Sequence, residues 1–115
     1  MKIAIAQVNT RIGDIDYNKD IALKYITESK KAGCDIVCFP ELTLTGYPPC
    51  DLLYNPEFAR QCEESLYHIA KSAEGIDVLL GTVILDPQSG GLMNCAVLLR
   101  DGSVNSIFGK YHLES

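Results

Sequence analysis

The stretch DIVCFPELTLTGYPPCDLL, residues 35–53, changes character in its middle. Residues 35–39 form a short, almost continuous apolar run, which predicts a strand that is buried on both faces. The run is followed at once by Pro40 and Glu41. The loop after them contains three residues that shape a backbone, namely Gly46, Pro48 and Pro49. A loop needs such residues for its shape, but it does not need a carboxylate at the end of a strand, so Glu41 is a candidate functional residue.

The sequence before this stretch predicts a strand and a helix. Residues 2–8, KIAIAQV, carry β-branched side chains and predict a buried strand, and residues 9–17 are typical of a polar loop. Beyond them the apolar residues recur with helical spacing, so we expect a helix that is capped by Asn18 and ended by Gly33. With residues 35–39 this gives strand, helix and strand, the order of a right-handed βαβ unit.

The sequence after the loop predicts a second helix. Asp51 is a capping residue that predicts a brief turn over residues 52–54. Pro56 favours the first turn of a helix, since its missing N–H is not needed there. We expect this helix to run to about Glu74 and to end at Gly75.

Three further strands are predicted in the last third of the chain. They cover residues 77–85, 92–100 and 104–108, and Asp101-Gly102 between the last two is a strong hairpin signal. Gly81 inside the first of them indicates a close approach of another backbone. The predicted order is β-α-β-α-β followed by a hairpin, which is an α/β layer with a mixed sheet.

Composition excludes several classes of function. The 115 residues are enough for one domain or part of one, and 47% apolar with 22% charged residues is typical of a soluble globular protein. The net charge is −5 without a cluster of basic residues, which argues against a nucleic-acid partner or a polybasic membrane surface. No apolar stretch is long enough to span a membrane, and the start of the chain lacks the features of a signal peptide.

The cysteines and histidines predict no metal or nucleotide site. The five cysteines are odd in number and form no CxxC pair, so we interpret them as reduced, mostly buried thiols of a cytoplasmic protein. They are Cys34, Cys38, Cys50, Cys62 and Cys95. His68 and His112 have no nucleophile or carboxylate at a spacing typical of a catalytic site, which favours a structural or exposed role for both. No GxGxxG or Walker pattern is present.

Glu41 and Lys110 are the candidate catalytic residues. Both follow predicted strands, and open α/β sheets place ligands at the carboxyl ends of their strands. Glu41 in that position would be a general base, and Lys110, after Gly109, would offer positive charge to an oxyanion. The residues alone leave open that Glu41 is a surface acid paired with a lysine and that Lys110 is solvated.

Three blocks of sequence, in order, resemble the nitrilase (carbon–nitrogen hydrolase) superfamily. They are KIAIAQVNTRIGDIDYNKD at 2–20, FPELTLTGYPPCDLL at 39–53 and GKYHL at 109–113. Within it, TGYPPCDLL with GDID upstream looks most like the N-terminal glutaminase domains of glutamine-dependent NAD⁺ synthetases. The resemblance implies an αββα sandwich, with residues 1–115 as the N-terminal part, about its first half. It also implies that the C-terminal synthetase domain is absent from this chain.

The resemblance implies a Glu–Lys–Cys triad, with Glu41 as general base and Lys110 as the oxyanion-stabilising lysine. The family's cysteine lies further along in a CED-like context, which none of the five cysteines has, so we expect this chain alone to be inactive. The implied substrate is glutamine, without a cofactor for that step, and ATP and Mg²⁺ serve the absent synthetase domain. A cytoplasmic homo-oligomer is implied. Another amidase of the superfamily and a non-catalytic truncated module are the alternatives.

Two structural expectations follow from this interpretation. Glu41 and Lys110 should lie together at one end of the sheet, because both would act on the same substrate atom. About five strands make only one sheet of ordinary size, and a sandwich needs two. One face of the sheet should therefore lack its partner, and we expect the isolated chain to associate.

Overall fold

The computed structural model describes residues 1–41, 43–46, 56–85 and 92–112. Its elements are β1 (Ile3–Ile5), α1 (Ile15–Lys31), β2 (Ile36–Cys38), α2 (Pro56–Ala70), β3 (Asp77–Leu85), β4 (Leu92–Arg100) and β5 (Ser103–His112). This confirms the predicted order of strands and helices. The turn predicted after Asp51 and the loop prolines Pro48 and Pro49 lie outside the described residues.

The five strands form one mixed sheet in the order β1-β2-β3-β4-β5. The first three strands are parallel, and β3, β4 and β5 are antiparallel, as the two helical connections and the hairpin predict. The helices pack against each other and against the sheet. Their shared core consists of buried apolar residues, among them Ile26, Val37, Ile69, Leu80, Val97 and Leu99.

Helix α1 begins three residues earlier than the predicted cap, so the assignment of Asn18 as the cap is wrong. Asp14 caps the helix instead, and its side chain accepts a hydrogen bond of 3.1 Å from the Tyr17 N–H. Aspartate and asparagine cap equally well, and the start at Ile15 buries one more apolar side chain in the core. Asn18 lies inside the helix and is completely buried.

The end of α1 agrees with the prediction. Gly33 has a φ of +78°, the left-handed conformation that glycine adopts readily. The N–H of Cys34 donates to the Ser29 carbonyl at 3.0 Å, and the N–H of Gly33 donates to the Lys30 carbonyl at 3.0 Å. These two bonds form a Schellman motif, which satisfies carbonyls that the helix itself leaves unpaired.

Strand β1 is shorter than predicted and is not buried. It ends at Ile5, three residues before the predicted end, and the side chains of Ile3 and Ile5 are exposed, so the expectation of a buried strand over residues 2–8 is wrong.

The ends of α2 and β5 also differ from the prediction. Helix α2 ends at Ala70, four residues before the predicted end, because the N–H groups of Ser72 and Ala73 make tighter bonds to carbonyls three residues back. This turn lets Ala73 enter the core, where it is completely buried. Strand β5 continues to His112, four residues beyond the predicted end, because β4 is long enough to pair with it.

The helices cover one face of the sheet, and no helix of the described residues covers the other face. We call it the open face and define it by Ile5, Cys38, Leu79 and Leu98, which lie side by side on four adjacent strands. The last three are half-buried, whereas Ile5 is 77% exposed. The fold is thus one helical layer on one sheet, the half of an αββα sandwich that the resemblance implies.

No helix in the described ranges is long and apolar enough to cross a membrane.

Candidate active site

Glu41 lies where the sequence predicts it, in a turn at the carboxyl end of β2. The strand's pairing continues one residue further, since the Phe39 N–H donates to the Leu79 carbonyl at 2.9 Å. The Thr43 hydroxyl then donates to the Pro40 carbonyl at 2.6 Å and closes the turn around Glu41. As a residue Glu41 is exposed, so solvent reaches it.

The loop that carries Glu41 is fixed to α1 by the buried side chain of Asn18. Its amide N–H₂ donates to the carbonyls of Arg11 and Leu44 at 2.8 and 3.0 Å. Its carbonyl oxygen accepts from the Arg11 N–H at 2.7 Å. The N–H of Gly13 also donates to the Thr45 carbonyl at 2.9 Å. Since every polar atom of the Asn18 amide is bonded, the helix and the two loops form one rigid unit.

Gly46 allows these two loops to touch. Its φ is +63°, and a Cβ atom there would lie 3.0 Å from the Cα of Ile12 and 3.3 Å from the carbonyl oxygen of Arg11. Both obstacles are backbone atoms, which have little freedom to move away. The position therefore requires glycine both for its conformation and for the space around it.

Asn94 on β4 holds the Glu41 side chain. The Asn94 Nδ2 atom donates a hydrogen bond to Oε1 of Glu41. Asn94 is completely buried, and its Oδ1 has no hydrogen-bond partner within the described parts of the chain. Gly81 and Ala96 form the neighbouring pair of β3 and β4 on the face that carries Asn94, and their small size leaves room above the sheet. The expected close approach at Gly81 is also present, because the Leu44 N–H donates to its carbonyl at 3.2 Å.

Lys110 lies within β5, so the expectation that it follows the strand is wrong. Cys95 pairs with Gly109 and Asn94 with Tyr111, which makes Lys110 the extra residue of a β-bulge. Bulges change the direction of side chains and are frequent near active sites. The backbone of Lys110 thus stands on the strand next to Asn94, the residue that holds Glu41. The structure describes Lys110 through its backbone alone. That the Lys110 ammonium group lies close to the Glu41 carboxylate therefore stays a prediction.

Gly109 is close to the side chain of Met93. A Cβ atom on Gly109 would lie 2.9 Å from Sδ and 3.0 Å from Cε of Met93. The neighbour is the end of a flexible side chain on β4. The glycine thus provides space inside the sheet pair, next to the bulge that contains Lys110.

The two cysteines that are buried in the described part of the chain are not activated nucleophiles. Burial raises the pKa of the Cys62 thiol to about 12, with a smaller contribution from the charge of Glu63. Burial also raises the pKa of Cys95, whose neighbour Asn94 faces the other side of the sheet. Both side chains are therefore thiols near neutral pH, and the thiolate is the form that attacks. Cys34 and Cys38 are half-buried and free, and Cys50 lies outside the described residues.

A cleft of about 300 Å³ lies at the opposite end of the sheet from Glu41. It is lined by Asp35, Gly75, Ile76, Asp77, Arg100 and Asp101, at the amino ends of β2 and β3. The Arg100 guanidinium donates two hydrogen bonds of 2.7 and 3.0 Å to Asp77 and lowers the pKa of that carboxyl. Ligand sites in such folds lie at the carboxyl ends, so this ion pair is structural.

Asn18 and Asn94 are the residues that sequence reasoning missed at this site. Asn94 stands in LMNCAVLLR, between apolar residues of a strand that is buried on much of its length. A polar amide in such a run must find a polar partner, and this was the signal in the sequence. For Asn18 the same residue type is equally common at helix caps, so the pattern did not separate the two roles.

Comparisons with known proteins identify the family of the chain. The carbon-nitrogen hydrolase family matches residues 2–114. The chain is 38% identical to a glutamine-dependent NAD(+) synthetase of Xanthomonas campestris over 98% of its length, and 40% identical to one of Synechocystis over 94%. It spans 20% of the length of each of these relatives.

Solved structures give the same relationship. A glutamine-dependent NAD(+) synthetase from Cytophaga hutchinsonii superposes with a TM-score of 0.88 at 34% identity, over 98% of this chain and 19% of that one. An amidase from Nesterenkonia superposes with a TM-score of 0.80 at 23% identity, over the whole chain and 44% of the amidase. The latter identity is low, and the similarity shows the fold alone.

Proposed function

This chain belongs to the carbon-nitrogen hydrolase family, and from that membership we propose that it contributes the general base and the oxyanion-binding lysine to a glutaminase. The enzyme would be a glutamine-dependent NAD⁺ synthetase, the name that the relatives from Xanthomonas and Synechocystis carry. The observation that supports it most is the Glu41 carboxylate at the carboxyl end of β2, held by Asn94.

The proposed reaction begins with proton transfer from a cysteine thiol to the carboxylate of Glu41. The thiolate attacks the side-chain amide carbon of glutamine, and the ammonium group of Lys110 stabilises the oxyanion that forms. Loss of such a donor commonly costs about 3 kcal/mol of transition-state stabilisation. The C–N bond then breaks, ammonia leaves with a proton returned by Glu41, and a thioester stays on the cysteine. Water hydrolyses the thioester and releases glutamate.

The nucleophile in this proposal comes from outside the 115 residues. Burial keeps Cys62 and Cys95 protonated, and none of the cysteines has the family's CED-like context. The hydrolysis itself would use only protein groups and water. ATP and Mg²⁺ would serve a separate synthetase domain, which uses the ammonia to amidate nicotinic acid adenine dinucleotide. We place the enzyme in the cytoplasm as a homo-oligomer.

Glutamate release from glutamine by the full-length gene product that carries this chain tests the proposal. We expect Glu41→Gln and Lys110→Met each to lower kcat at least about a hundredfold. Glu63→Gln is the matched control, since Glu63 is an exposed glutamate on α2, and it should leave kcat unchanged. Preference for simple aliphatic amides over glutamine would favour another amidase. A full-length product that hydrolyses neither would indicate a non-catalytic module.

A further inference from the structure

We propose that Asn94 is a positioning residue that holds the Glu41 carboxylate in the orientation required of a general base, an inference that rests on the proposed function. The two residues are 53 positions apart, and the Asn94 Nδ2 atom donates to Oε1 of Glu41. Asn94 belongs to β4, which is paired on both sides, whereas Glu41 lies in a loop. A rigid strand therefore fixes a loop carboxylate.

The orientation of the Asn94 amide follows from its partner. An ionised carboxylate only accepts hydrogen bonds, so the amide nitrogen must face Glu41 and Oδ1 must point elsewhere. That oxygen is buried without a partner in the described ranges. Asn18, which is also buried, bonds both its oxygen and its nitrogen to backbone groups. Among the described residues, the side-chain hydrogen bond of Asn94 is therefore its donation to Glu41.

The hydrogen bond has two consequences for a general base. It fixes one carboxylate oxygen, so rotation of the carboxylate is restricted and its plane keeps a constant direction. It also stabilises the charged form of Glu41, which is the form that takes a proton from the nucleophile. Without this donor the carboxylate would rotate and would be protonated at a higher pH.

Kinetics of glutamine hydrolysis by the full-length gene product test this inference through two substitutions. Asn94→Leu removes the donor at similar volume, and we expect kcat to fall about ten- to a hundredfold with KM within about twofold. The acid limb of the pH profile of kcat/KM should move to higher pH. Asn94→Asp places a second carboxylate beside Glu41, and its acid limb should move further in the same direction.

Thr82→Val is the matched control. The Thr82 hydroxyl is also buried without a partner in the described ranges, but Thr82 pairs with Cys95, so its side chain lies on the other face from Asn94. We expect this variant to keep the wild-type kcat and pH profile. In the 115-residue chain, the NMR signals of the Asn94 side-chain amide should move on Glu41→Gln and stay in place on Glu63→Gln.

Three results would count against these ideas in different ways. An Asn94→Leu enzyme with wild-type kcat and an unmoved acid limb would overturn the positioning role. Lower activity together with a lower thermal midpoint and an unmoved acid limb would assign Asn94 a structural role and overturn it as well. A wild-type product that does not hydrolyse glutamine would overturn the proposed function, and the NMR shift would then test the contact between the two side chains by itself.

Discussion

The side-chain amide of Asn18 donates a hydrogen bond of 3.0 Å to the carbonyl of Leu44 and joins the first turns of α1 to the loop that carries Glu41. The sequence separation is 26 residues, and the same amide also bonds the backbone of Arg11. The geometry of the candidate base thus depends on a residue that would take no part in the chemistry. Substitution of Asn18 should therefore change both the stability of the fold and the position of Glu41.

We expect Asn18→Ala to lower the free energy of unfolding by about 2–4 kcal/mol, because it leaves buried backbone groups of Arg11 and Leu44 without partners. Urea denaturation followed by circular dichroism measures the change. Asn105→Ala is the control, since Asn105 is an exposed asparagine on β5, and it should change stability by less than about 0.5 kcal/mol. Equal effects of the two substitutions would contradict the role assigned to Asn18.

Two glycine substitutions distinguish the energetic cost of an unfavourable backbone conformation from the cost of steric crowding. Gly33 and Gly46 both have positive φ, and alanine in that region costs about 1 kcal/mol. Nothing lies within 4 Å of a Cβ at Gly33, whereas a Cβ at Gly46 meets the backbone of Ile12 at 3.0 Å. We therefore expect Gly33→Ala to lose about 1 kcal/mol and Gly46→Ala more than about 2 kcal/mol. The reverse order in urea denaturation would contradict the described packing of the loops.

The ion pair of Asp77 and Arg100 predicts a pH dependence of stability. Its hydrogen bonds lower the pKa of Asp77 in the folded state below the ordinary value of 3.8. The pair therefore stabilises the fold above pH 3.8, and its contribution disappears as the pH falls through the lowered pKa. We expect Arg100→Met to lower the urea midpoint slightly at pH 7, as is usual for exposed pairs, and by less at pH 3. A larger loss at pH 3 would contradict the assignment.

Thiol alkylation tests the burial of the cysteines. Cys62 has a pKa of about 12 and Cys95 a raised pKa, so iodoacetamide at pH 8 should leave both unmodified in the folded chain. The half-buried Cys34 and Cys38 should react before Cys62 and Cys95. Peptide mass spectrometry identifies the modified residues, and all cysteines should react in urea. Fast modification of Cys62 in the native chain would show that α2 is not packed as described.

The open face predicts that the isolated chain associates. Ile3 and Ile5 at one edge and Phe108 on the last strand are 57%, 77% and 54% exposed. Water contact with this much apolar surface is unfavourable, and packing between copies removes it. We expect sedimentation of the 115-residue chain at tens of micromolar to show species larger than a monomer, and Ile5→Lys to shift them towards the monomer. The exposed Tyr67 on α2 provides the control Tyr67→Lys, which should leave the distribution unchanged. A wild-type chain that sediments as a well-behaved monomer would contradict the prediction.

The sequence predicted the order of the elements and the place of Glu41 because both depend on local patterns. Apolar runs, helical spacing and the Asp101-Gly102 turn all act over a few residues. The bulge at Lys110 depends on the register of β5 against β4, and the contact of Asn94 with Glu41 joins distant parts of the chain. The local pattern indicates that Asn94 needs a polar partner, but no local pattern identifies a partner 53 positions away or the register of β5, which is why the end of β5 and the role of Asn94 were missed.

The order of the strands in the sheet has a consequence for how the chain folds during synthesis. From β2 onwards, each strand pairs with the strand that precedes it in the chain, so each new strand finds its first partner already synthesised. As the polypeptide leaves the ribosome from its amino end, β2 can add to β1 and β3 to β2 in turn. The strands that position Glu41, namely β2 with β3 and β4, can therefore pair before β5 is made.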